Sequence, residues 1–126
     1  MPHAILQTPL HAADIAAQFH KQRHQQGDTF VNLDEMFQSI QNHALLVEAY
    51  IHEEAITQRV GLTLHWRDGN KLIIGLHEFG FPRPTPGVQF AIYCLTNWLK
   101  SLHPDNKILH HNLSPDVAPR AVSSEQ

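Results

Sequence analysis

The stretch from Val60 to Trp66 constrains the fold more than any other. Val60, Leu62, Leu64 and Trp66 alternate with Gly61, Thr63 and His65, which is the period of a strand with one buried face. Arg67-Asp68-Gly69-Asn70 supplies turn residues, and Leu72-Ile73-Ile74-Gly75-Leu76 returns as a second apolar run. This predicts a β-hairpin turning at Asp68-Gly69. A hairpin alone is marginal in water, so the rest of the chain must supply a neighbouring strand and a cover.

Helical signals flank the hairpin. Thr8 as N-cap with Pro9 at the first position predicts a helix whose stripe is Ala12, Ile15, Ala16 and Phe19, with Gly27 as its stop. Asn32 and Glu35 make a capping-box-like pair, with Val31 and Met36 as a staple, and predict a second helix through Met36, Phe37, Ile40, Ala44 and Val47. Its end is open: it either continues through Ile51 or stops near His43, leaving Leu45 to Ile51 as a strand. The hairpin's need of a neighbour favours the strand. Thr85 and Pro86 start a last helix, with Val88, Ala91, Ile92, Leu95, Trp98, Leu99 and Leu102 on one stripe and Pro104 beyond its end.

The expected fold is therefore α+β: two N-terminal helices, a small antiparallel sheet of two to three strands, and a C-terminal helix. Residues 1–111 are expected to form one domain, and the polar, Pro-containing residues 112–126 a flexible tail.

Composition narrows the chemistry. The lone Cys94 excludes an internal disulfide framework and multi-cysteine clusters, and its place in the apolar run Ala91-Ile92-Tyr93-Cys94-Leu95 predicts a buried, inert thiol. Met1-Pro2-His3-Ala4 shows no basic segment leading into an apolar run, and no stretch is apolar enough to span a bilayer. The expectation is a cytoplasmic protein with no membrane contact. A formal charge of −3 with nine Lys and Arg argues against phosphate-backbone binding, so no nucleic-acid partner is expected. Eleven histidines make that charge soft around pH 6.5.

Two groups of residues carry candidate chemistry. The first is the loop Gly80-Phe81-Pro82-Arg83-Pro84-Thr85-Pro86-Gly87, which delivers a stiff backbone to a helix N-terminus. There Arg83, the Thr85 hydroxyl and the free amides near Gly87 and Val88 suit an anion. Phe81 and His77 are expected to complete a ligand site, with Phe79 and Phe90 as further walls. The second is His20 with His24, one turn apart on the expected first helix and so able to face one metal ion. His52-Glu53 and His77-Glu78 resemble the start of HExxH but fail as zinc motifs. They lack its second histidine, Ile56 and Phe81 standing in its place. No Gly-x-Ser-x-Gly elbow and no phosphate-cradling glycine loop is present.

With no complete catalytic motif, the expected role is a small non-catalytic interaction, regulatory or accessory protein. Its partner would be another protein or a second copy of itself, and no cofactor is expected. The alternatives are an anion-binding or enzymatic domain centred on residues 79–88, and histidine-based metal binding.

Overall fold

The computed structural model describes residues 1–41 and 43–117. The chain runs β1 (His3–Gln7), α1 (Ala12–Gln18), β2 (Gln22–Gln26), β3 (Thr29–Gln38), β4 (Leu45–His52), β5 (Thr57–Arg67), β6 (Lys71–Leu76), α2 (Pro86–Ser101) and β7 (Lys107–His111). The strands form one antiparallel sheet in the order β2-β3-β4-β5-β6-β1-β7. It is a half-barrel curled about α2, which packs against β1, β3, β4 and β6.

The expected small sheet is thus corrected to seven strands, and the two expected N-terminal helices are corrected as well. Only Ala12–Gln18 is helical near the N-terminus, and its N-cap is His11, whose N–H donates to the Asp14 carboxylate at 2.9 Å. Thr8 caps nothing: it is buried, and its hydroxyl accepts from Leu10 N at 3.1 Å. The helix stops where the apolar stripe runs out. The polar run Gln22–Gln26 instead becomes an edge strand against β3, because an edge strand needs only backbone partners and no apolar face. Gly27, read as a helix stop, takes φ 58° in a tight turn between Gln26 and Thr29.

The second expected helix is β3, and a bulge explains the misreading. Leu33 pairs with Ala49 and Glu35 with Glu48, so Asp34 is an extra residue. Before the bulge Val31 and Leu33 point into the core; after it Met36 packs inward and Phe37 outward. That slip places apolar residues at 31, 33, 36 and 37, which mimics a helical stripe.

Several expected elements stand where they were placed. Leu45–His52 is a strand, and Asp68 (φ 53°) and Gly69 (φ 84°) form the turn between β5 and β6 with both central residues left-handed. The C-terminal helix is present and is capped by Thr85, whose hydroxyl accepts from Val88 N at 3.3 Å. Packing continues beyond the helix. Asn106 donates to Leu99 O at 2.8 Å, β7 pairs with β1, and Leu113 and Val117 are buried. Of the tail expected from residue 112, residues 118–126 lie outside the described residues.

All the buried apolar faces meet in one core. Leu62, Leu64, Leu72 and Ile74 of the hairpin face Ile92, Leu95 and Leu99 of α2, and Ala12 and Ile15 of α1 join them. The helices cover one face of the sheet and leave the other bare. Among the described residues no helix is long and apolar enough to cross a membrane.

Candidate functional site

Alternation along each strand sends its second set of side chains to the bare face. Phe37 pairs with Leu46, Leu46 with Thr63, and Thr63 with Gly75, so these four form one row across β3, β4, β5 and β6. Two other rings on this face carry cations. The Arg23 guanidinium lies 4.8 Å from the centre of Phe30, and the Arg59 guanidinium 5.8 Å from that of Tyr50. Arg59 also reaches Glu48 at 3.4 Å.

At one end of the row lies an open, mainly apolar cleft of about 1150 Å³. Phe37, Leu46, Thr63 and His65 line it from the strands, and His77, Glu78, Phe79 and Phe81 from the segment after β6. Phe79 and Phe81 are 89% and 94% exposed, so neither contributes to the core. Large apolar side chains held this bare are what a contact surface presents.

The backbone fixes this segment. His77 N–H donates to Gly61 O at 2.8 Å, and the His77 ring Nδ1 accepts from Phe79 N at 2.9 Å. A ring that accepts at Nδ1 carries its proton on Nε2, which is left as a donor. Gly80 follows with φ 86° and Phe81 with φ 53°. A left-handed phenylalanine is a strained residue, of the kind that persists where surroundings or function demand it. On the strand side, a Cβ on Gly61 would come within 2.9 Å of Leu46 Cδ1. Glycine there lets Leu46 lie flat along the wall of the cleft.

Of the residues expected at a ligand site, His77 and Phe81 line this cleft, whereas Arg83 and Thr85 do not. Arg83 is exposed, and its backbone is clasped by Gln58: Arg83 N donates to Gln58 Oε1 at 2.9 Å and Gln58 Nε2 donates to Arg83 O at 3.0 Å. At Thr85 the start of α2 already holds an anion, the side chain of Glu53. Its carboxylate accepts from the Thr85 hydroxyl and, at 3.0 Å, from Gly87 N. The attraction of a helix N-terminus for negative charge is satisfied within the chain. A Cβ on Gly87 would fall 2.5 Å from Glu53 Cδ, so a larger residue there would displace the carboxylate.

His20 and His24 do not share a helix. His20 follows α1 and meets the Trp98 ring edge-on at 6.3 Å, while His24 lies in β2 with Nε2 3.0 Å from Gln22 Oε1. Burial lowers the His24 pKa from its ordinary 6.5. Among the described residues, no three His, Cys, Asp or Glu side chains are grouped to hold a metal. Cys94 is buried, and burial pushes its thiol up to about 12. Phe90, expected as a wall of the ligand site, is buried in the core and stacks on Tyr93 at 6.4 Å.

Sequence reasoning missed Phe37, Leu46 and His65, because the bulge at Asp34 decides which residues of β3 stand across from β4. It also missed Glu53, which is 34 residues from its partner Gly87.

No family model matches the chain, and no solved structure matches it significantly. Among curated proteins it is 30% identical over 101 residues to a tRNA (guanine-N(7)-)-methyltransferase of Deinococcus radiodurans. The match takes in 79% of this chain and 30% of that protein, so the chain spans less than a third of the relative's length. Two expectations are corrected by it. A non-catalytic role acting only through protein contacts does not fit similarity to an RNA-modifying enzyme, and neither does the exclusion of nucleic acid. The charge argument weighed phosphate contacts alone, whereas RNA-binding proteins also recognise bases.

Proposed function

We propose that the chain takes part in guanine methylation of tRNA, holding an unpaired base of the RNA on the bare face of its sheet. The similarity over 101 residues to a tRNA (guanine-N(7)-)-methyltransferase carries this reading. Guanine N7 keeps its lone pair in the neutral base, so methylation there needs no group to remove a proton first. What a protein must contribute is placement of the purine edge against the methyl donor. The cleft suits that task, with Phe37, Phe79 and Phe81 as stacking surfaces and Thr63, His65 and the His77 Nε2–H as polar groups beside them. Stacking of a base on an aromatic side chain is worth about 1–3 kcal/mol.

With nine basic side chains against twelve acidic ones, affinity rests on bases more than on phosphates. Binding of tRNA is therefore expected to weaken only shallowly as salt rises. Such a role puts the chain in the cytoplasm, where tRNA is found.

Dimethyl sulfate footprinting tests the reading, since the reagent methylates accessible guanine N7 atoms. Full-length tRNA mixed with the chain should show one guanine, or a small set, protected at N7, and the protection should disappear with Phe79→Ala. Unchanged reactivity of every guanine at saturating protein would sink the proposal.

A further inference from the structure

The electrostatics of the cleft point to a particular form of the base. Among the described residues lining it there is no Lys or Arg, and the one charged side chain besides the histidines is the carboxylate of Glu78. Glu78 lies between His77 and Phe79, it is exposed, and no ion pair or hydrogen bond neutralises its side chain among the described residues. A wall of three phenylalanines beside one uncompensated carboxylate repels phosphate. It favours an aromatic cation, which the negative faces of the rings attract as well.

Methylation at N7 gives guanine this character, because the alkylated purine ring carries a positive charge. Resting on the tRNA reading above, we propose that the cleft binds the N7-methylated guanine base in preference to the unmethylated one. Phe79 and Phe81 supply the stacking surface and Glu78 the counter-charge. The chain then holds the product of the reaction or reads tRNA that already carries the modification.

The structure also explains why the two rings stay exposed. The Gly80 and Phe81 backbone is left-handed, and the bond from Phe79 N to the His77 ring ties the segment down. Phe79 and Phe81 are thereby held 89% and 94% exposed, where a folded-back loop would bury them.

Calorimetric titration of the full chain with 7-methylguanosine and with guanosine tests the proposal. The methylated nucleoside should bind about tenfold more tightly, the scale of a cation–π contact with a nearby counter-charge. Glu78→Gln should bring the ratio toward one, and Phe79→Ala with Phe81→Ala should weaken both nucleosides. All three side chains are exposed, so the variants should fold, and circular dichroism checks that they do. Equal affinity for the two nucleosides, or a preference that survives Glu78→Gln, overturns the proposal. If tRNA still binds in that case, the tRNA reading stands and only the charge preference falls. If 7-methylguanosine binds while no tRNA does, the preference stands and the tRNA reading falls.

Discussion

The two faces of the sheet are built from the same strands but solve different problems. On the covered face Leu33, Leu45, Leu62, Leu64, Leu72 and Ile74 are closed over by α2 and lie within 2% of complete burial. On the bare face, alternate residues of the same strands are Phe37, Leu46, Thr63 and His65, and the nearby Phe79 and Phe81 stand in the open. The first face carries the stability of the fold. The second holds aromatic surface that folding does not use, and the cleft lies there.

The largest effect of a single substitution is expected on the covered side. Leu95 is fully buried against the sheet, and Leu95→Ala should cost about 2–5 kcal/mol in urea unfolding. Leu46→Ala on the bare face should cost less than that range; an equal loss would mean that the faces do not divide the work. The next effect belongs to the start of α2. Gly87→Ala pushes the end of the Glu53 side chain off the start of α2, with an expected loss of about 1 kcal/mol, the scale of a lost cap. Adding Glu53→Ala should recover part of it, giving a measurable coupling between the two positions. Smaller still, Phe79→Ala and Phe81→Ala should leave stability within about 0.5 kcal/mol of the parent, while removing tRNA binding. A large loss of stability in either variant would place these rings in the structural half of the molecule.

The smallest effect is a pH dependence on the covered side, at the edge. Burial holds the His24 pKa below 6.5, so unfolding takes up a proton between the folded value and 6.5. The His24 contribution is complete above pH 6.5, declines as pH falls below it, and levels off beneath the folded pKa. Replacing His24 with Gln should flatten that part of the profile, measured as the urea midpoint from pH 7 to pH 5.

What could be read in the sequence follows the same division. The hairpin from Val60 to Leu76 and α2 were visible because their buried residues repeat without interruption, at periods of two and of 3.6. β1 and β7 escaped because each has five residues and finds its partners far along the chain, His3 against Gly75 and Ala4 against His111. β2 escaped because its residues are all polar, and β3 because the extra residue Asp34 breaks its phase. The cleft was readable only in part. His77, Phe79 and Phe81 lie together in the sequence, whereas Phe37 and Leu46 meet them only through the pairing of β3, β4 and β5. The anion-seeking start of α2 was visible as such, and the carboxylate that fills it, Glu53, was not.

In the proposed function the bare face of the sheet, and not the helical one, meets RNA. The most direct test of this is amide chemical-shift mapping of the isotopically labelled chain during titration with tRNA. Shifts should concentrate at Phe37, Leu46, Thr63, His77, Phe79 and Phe81, with the amides of α2 unmoved. Shifts confined to α1 and α2, or none at saturating tRNA, would contradict it.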